Sequence, residues 1–330
     1  MRTSAAGASR RLSRLSLGRL RWLIPGVLAV AAVVSAGASA APTPNCLGKP
    51  ATIVGSGLIN GTSGDDVIVG SAGADVVNAG DGNDRVCGLA GNDNLRGELG
   101  DDRLGGGPGD DRFVGDVGTL SGDLSGDGGD DLILGGRGID FMTGDFRTND
   151  GTVSGDGGDD TLVGGDGPDA AVADSVGTVV TAAGGNDSID LGPGDDFSGG
   201  GDNNAALLAS GPDGNDTISG GPGDDAFLLG DSGAFTCEGL ITGDAGDDVI
   251  SGGSGDDRPL VGDQDPVCGI PTGASGDDDL FGGDGNDDLH GDNNTDTGDP
   301  VFDSGDGIDT CAGAAGIDTA AFCESVTGVP

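Results

Sequence analysis

Residues 61–114 read GTSGDDVIV GSAGADVVN AGDGNDRVC GLAGNDNLR GELGDDRLG GGPGDDRFV, six nine-residue units in one register without a gap. The fourth residue of every unit is Gly and the sixth is Asp (Asp66, Asp75, Asp84, Asp93, Asp102, Asp111). The eighth is apolar: Ile68, Val77, Val86, Leu95, Leu104, Phe113. A Gly/Asp run of six residues makes turns, since Gly accepts positive φ and Asp and Asn tolerate it. The three residues left can form only a short strand, whose alternation sends the middle, apolar side chain to one face. Such units wind into a solenoid with the apolar residues inside and the Asp-bearing turns along its edges.

Beyond Val114 the units continue as adjoining pairs, with sixth-position acids at Asp131 and Asp140, Asp160 and Asp169, Asp187 and Asp196, Asp216 and Asp225, Asp248 and Asp257, Asp278 and Asp287, Asp309 and Asp318. Over the twenty units the fourth-position Gly and sixth-position Asp never fail. The eighth position is large and apolar in fifteen and degenerates at Ala171, Ser198, Pro259, Cys311 and Ala320. Segments of 9 to 14 residues separate the pairs, each opening on Gly-Asp or Ala-Asp (Asp116, Asp145, Asp174, Asp202, Asp231, Asp263, Asp292). Leu124, Val153, Val180, Ile241 and Phe302 stand seven residues before the next sixth-position Asp, with Leu208 and Ile270 one residue off. Each segment therefore reads as a third, expanded strand unit.

The GGxGxD turn followed by an apolar eighth residue resembles the RTX, or hemolysin-type calcium-binding, nonapeptide repeat. The resemblance covers about residues 61–321. It implies an all-β fold, a right-handed parallel β-roll or β-solenoid of glycine-aspartate-rich nonapeptides. It also implies multiple Ca²⁺ ions between the turns of units n and n+2, held by glycine carbonyls and by the twenty sixth-position Asp carboxylates named above. Stacked coils bring such carboxylates to about 4.8 Å, where they repel by roughly 1 kcal/mol even in water. Calcium suits the turns because it takes six to eight oxygens at relaxed angles.

Two windings remain open. In the family's two-sheet roll a coil is two units, Asp66 neighbours Asp84, and the expanded loops alternate between edges. In a three-sided helix Asp66 neighbours Asp93 and all loops stack on one edge. The unbroken run 61–114 favours two sheets there; beyond Asp131 neither winding is preferred.

Composition narrows the function. The 330 residues include 73 Gly and 57 acidic residues against 14 Lys+Arg, for a net charge of -43, and only Glu98, Glu238 and Glu324 are Glu. So negative a chain repels phosphate, which excludes a nucleic-acid groove. With His290 as the lone His and no Tyr, His-based triads and zinc sites are nearly excluded. Neither HExxH nor GxSxG occurs. Residues 1–40 carry six Arg and no acid, then the apolar run WLIPGVLAVAAVV and Ala38-Ser39-Ala40, as in a cleaved signal peptide. All six Cys follow it, and in an exported protein they are expected to form disulfides; proximity pairs Cys46 with Cys87, Cys237 with Cys268, and Cys311 with Cys323.

The resulting organisation is a signal peptide (1–40), an N-terminal capping segment (41–60), a contiguous roll (61–114), paired nonapeptides with expanded loops in the same solenoid (115–321) and a tail (322–330). The expected protein is secreted and extracellular, binds calcium, folds on binding it, and serves a structural or adhesive role without catalysis. Its expected partners are calcium ions and a cell-surface or polysaccharide ligand on the expanded loops, with no nucleic acid and no membrane once the leader is removed. The alternative is a carboxylate-only, glycosidase-like hydrolase using two Asp; a sugar cleft is usually aromatic, and the only Trp, Trp22, lies in the leader.

Overall fold

The computed structural model describes residues 43–119, 123–148, 151–181, 183–201, 204–209, 213–231, 233–234, 240–241, 245–263, 265–266, 276–291, 309–321, 323 and 325–329. The leader, Asp202, Asp292, Cys237, Cys268, Ile270 and Phe302 lie outside these residues. Every element among the described residues is a strand, and no helix there is long and apolar enough to cross a membrane.

The chain is a parallel β-solenoid. In the gapless run the last three residues of each unit form the strands Val67–Val69, Val76–Asn78, Arg85–Cys87 and Asn94–Arg96, with Arg103–Pro108 and Arg112–Val114 completing the series. Successive strands alternate between two sheets, of 12 and 11 strands among the described residues. In the first sheet Ile68 stacks on Val86 and Val86 on Leu104; in the second Val77 stacks on Leu95 and Leu95 on Phe113. The ladders face one another as a single core running through Ile133, Leu162, Ile218 and Ile250 to Leu280. Burying each such side chain contributes about 2 kcal/mol.

Beyond Val114 the strand pairing settles the winding. The first-sheet strand Arg103–Pro108 pairs with Leu132–Arg137, which pairs with Thr161–Asp166. Between them the coils add strands to a third sheet, of nine strands among the described residues, in which Gly118–Thr119 pairs with Arg147–Thr148 and Leu124–Asp127 with Thr152–Asp156. The expanded segments after Val114, Thr143 and Val172 thus stack on one edge, and the strict two-sheet winding fails there. Leu124, Val153 and Val180 are buried as expected, together with Phe146, in a small core separate from the main one. Val180 pairs with Ala209, not Leu208, the one-residue offset visible in the spacing.

Glycine contacts show how this lobe attaches. A Cβ on Gly97 would collide with Oδ2 of Asp102, five residues on; one on Gly115 would collide with Oδ2 of Asp131, sixteen residues on. Both ends of the expanded segment therefore return to the same turn, and the lobe leaves the solenoid through a pinched neck.

The eighth-position rule fails in three consecutive second-sheet strands. Ala171 pairs with Gly199, Gly199 with Leu228, and Leu228 with Leu260. The ninth residue, not the eighth, points inward here because one extra residue follows each of Asp196, Asp225 and Asp257. Leu228 and Leu260 are fully buried, whereas Phe227, whose eighth position predicted burial, is 52% exposed at φ +62°. The core is thus not degenerate at Pro259, where Leu260 replaces it. Ala171 and Cys311 remain inward and buried, and Ala320 is partly buried against the core.

Cys46–Cys87 and Cys311–Cys323 are disulfide-bonded as paired from sequence, with Cα separations of 5.6 and 6.0 Å. The first bond joins the strand Asn45–Cys46 to the third strand of the first sheet. His290 ends a second-sheet strand half-buried, with Nε2 3.5 Å from Asp288 Oδ1.

Candidate metal centre

The turns order the twenty sixth-position aspartates into two columns, one on each edge. One runs Asp66, Asp84, Asp102, Asp131, Asp160, Asp187, Asp216, Asp248, Asp278, Asp309; the other runs Asp75, Asp93, Asp111, Asp140, Asp169, Asp196, Asp225, Asp257, Asp287, Asp318. Along both, the backbone N–H of each aspartate donates to Oδ1 of the next at 2.7–3.2 Å, eighteen bonds in all. Asp66 stands beside Asp84, the two-sheet neighbour, and the spacing widens from 18 to 29 residues only at Asp102. The N-terminal segment closes both columns: Thr52 Oγ1 donates to Asp66 Oδ1 at 3.1 Å, and Gly57 N–H donates to Asp75 Oδ1.

The second oxygen of these carboxylates tells the ends from the middle. In the first pair it is satisfied, since Thr62 N–H donates to Asp66 Oδ2 at 2.8 Å and Ser71 N–H to Asp75 Oδ2 at 2.6 Å. From Asp84 and Asp93 through Asp278 and Asp287, Oδ2 of every column member is buried and accepts no hydrogen bond. Leaving a buried acceptor unmade costs about 1–3 kcal/mol, and more when it is charged.

These oxygens converge on space left open by first-position glycines. A Cβ on Gly70 would lie 2.7 Å from both Asp75 Oδ2 and the Gly88 carbonyl of the next coil; on Gly135 it would lie 2.6 Å from Asp140 Oδ2 and from the Gly164 carbonyl. Among the described residues no three His, Cys, Asp or Glu side chains converge on one point. Any ion must therefore complete its shell with backbone carbonyls, a hard, all-oxygen set that fits calcium and not zinc.

Burial raises these carboxyls far above the ordinary Asp value. On the open edge it pushes Asp111, Asp140, Asp196 and Asp257 up to about 7, and Asp169 and Asp225 to about 6, each partly offset by the N–H bond from the preceding aspartate. On the edge covered by the lobe the shift is larger: Asp102 and Asp216 reach about 8 and Asp278 about 9, while Asp131, Asp160 and Asp248 are driven well above 3.8 by burial and facing carboxylates. Stacked anions in such surroundings demand protons or a cation.

A profile described as the RTX calcium-binding nonapeptide repeat, in four copies, matches residues 60–95, 88–119, 124–145, 150–170, 210–232, 240–259 and 272–299, together more than half of the chain. The chain belongs to the RTX calcium-binding repeat family. No curated protein matches it. Two further features of this RTX chain escape the sequence pattern. Phe141, Phe197 and Phe227, at 36%, 54% and 52% exposure, lie along the outer side of the second sheet, and the Arg112 guanidinium sits 5.5 Å from the Phe141 ring centroid. The second is that the acids opening the expanded segments, Asp116, Asp145, Asp174, Asp231 and Asp263, are fully or almost fully buried. Their recurrence shortly after the strand is the signal in the sequence that marks them.

Proposed function

We propose that this RTX protein is exported behind residues 1–40, with residues 41–60 acting as its N-terminal cap, and folds extracellularly around two ladders of calcium ions as a structural or adhesive element without catalysis. The twenty sixth-position aspartates serve as the carboxylate ligands, with first-position glycine carbonyls completing each shell. The observation carrying this reading is the double row of buried Oδ2 atoms that accept no hydrogen bond. A cation turns each row from a repulsive stack into a bridge between coils, so folding and binding become one equilibrium. The third sheet, on one edge, is the surface offered to a cell-surface or polysaccharide ligand.

Far-UV circular dichroism and hydrodynamic radius of the chain lacking residues 1–40, in chelator and in millimolar calcium, test the reading. The expected result is an expanded coil in chelator and a compact β spectrum with calcium; identical spectra and radii in both would overturn it.

A further inference from the structure

Among the described residues, the edge bearing the lobe carries a second set of buried aspartates that the open edge lacks. Asp116, Asp145, Asp174, Asp231 and Asp263 follow directly on second-sheet strands, where the chain enters the neck. Hydrogen bonds across the neck tie three of them to the returning turn. Asp174 Oδ2 accepts from Gly185 N–H at 3.2 Å, Asp231 Oδ1 from Gly246 N–H at 3.0 Å and Asp263 Oδ1 from Gly276 N–H at 3.0 Å. Those donors stand two residues before the column members Asp187, Asp248 and Asp278, so each neck carboxylate shares a turn with a column carboxylate.

In the first two coils of the lobe the contacts are looser: the N–H groups of Gly129 and Gly100 face Asp116, and the carboxyls of Asp116, Asp145 and Asp174 lie beside one another. Asp116 and Asp145 are both 0% exposed, and neither oxygen of either accepts a well-formed hydrogen bond. Glycines at the third position of the returning turn make room for them. A Cβ on Gly128 would collide with Asp145 Oδ1; one on Gly157 would lie 2.8 Å from Asp145 Oδ2 and collide with Asp174 Oδ1. The two oxygens of Asp145 therefore reach consecutive coils, and carboxylates of successive coils meet at Gly157. The charge of Asp116 bears on Asp131 and Asp160, and those of Asp160, Asp116 and Asp131 bear on Asp145.

We propose that the neck forms a second class of divalent-cation site, in which Asp116, Asp145, Asp174, Asp231 and Asp263 join the Asp131–Asp278 column as ligands. This rests on the calcium reading of the repeats and adds a distinction to it: ions on the lobe edge receive more protein carboxylate and retain less water than ions on the open edge. Ligand charge is one of the quantities that tunes calcium affinity over orders of magnitude.

The test is luminescence decay of Tb³⁺, a calcium surrogate, on the chain lacking residues 1–40, with calcium equilibrium dialysis in parallel. The wild type should give two lifetimes, the longer from the less hydrated neck sites. The isosteric D116N/D145N variant should lose part of the long-lived population and weaken the corresponding calcium sites about tenfold or more, leaving the short-lived population in place. D93N/D111N, on the open edge, should do the reverse. A single lifetime in the wild type, or an unchanged long-lived population in D116N/D145N, overturns the inference while leaving the repeat ladders intact. A wild type that binds neither ion overturns the calcium reading itself. Should D116N/D145N fail to fold, the wild-type lifetimes alone decide.

Discussion

The backbone N–H of Asp84 donates to Oδ1 of Asp102 at 2.7 Å, while Oδ2 of Asp102 is buried with no donor. One carboxylate thus does two jobs: it fastens its coil to the preceding one and presents a bare anionic oxygen to the glycine cradle. Asn keeps the first function and reverses the second, because its amide nitrogen would donate to the carbonyls that an ion would bridge. Asp102→Asn is expected to stabilise the calcium-free coil by about 1–2 kcal/mol and to lower calcium affinity at that position. Melting curves with and without calcium check this; a variant weaker in both conditions would contradict it.

Acidity should mimic the metal in part. Asp84 at about 6, Asp111 at about 7, Asp102 at about 8 and Asp278 at about 9 all lie above the unfolded value of 3.8. The calcium-free fold therefore binds more protons than the unfolded chain. Its electrostatic penalty is full above about pH 9, shrinks as pH falls through the range 9 to 6, and vanishes near the unfolded value. In chelator, β structure is expected to grow between pH 8 and pH 5, whereas the calcium requirement rises over the same interval because protons compete for the ligands. A chelated chain that is equally unfolded at both pH values would refute the shifts.

The slipped strands offer a contrast between neighbours. Leu228→Ala removes a fully buried side chain and should cost about 2–4 kcal/mol in calcium. Phe227→Ala, at the position the repeat pattern assigns to the core, should cost about 0.5 kcal/mol or less, being half-exposed. Denaturant unfolding of the two variants decides between the paired register and the repeat register.

Breaking the Cys46–Cys87 bond by double Ser substitution should fray one end only. Cys46 is buried with Val67 and Val69, and a solenoid passes stability between adjacent repeats. Amide exchange is expected to accelerate around Ile68 and Val77 and to stay unchanged at Ile189 and Ile218, as read by mass spectrometry. Uniform acceleration along the chain would mean that the coils act as one cooperative block.

The main axis of the fold was legible because its signal repeats: the invariant sixth Asp set both columns, and the gapless run set the neighbour of Asp66. Two things were not legible. The inward position after Asp196, Asp225 and Asp257 depends on one extra residue absorbed between turn and strand, where Phe227 and Leu228 are equally apolar and only pairing with Gly199 and Leu260 chooses between them. The neck aspartates were visible as a recurring Gly-Asp. Their burial comes from chain ends sixteen residues apart returning to one turn, a closure that local spacing does not encode.

The bonds between buried sixth-position aspartates all run one way, whereas the exposed fifth-position acids bond in the opposite sense, as Asp159 N–H does to Asp130 Oδ1 and Asp277 N–H to Asp247 Oδ1. Each coil accepts, through its carboxylate, a proton donor already fixed in the coil before it, and residues 52 and 57 supply the starting donors at the N-terminal end. The stack is therefore polar, like a filament with one primed tip, and a chain emerging N-terminus first meets a finished template for each new turn as it appears. Assembly can keep pace with emergence, each added coil docking on ordered backbone without waiting for the far end of the polypeptide.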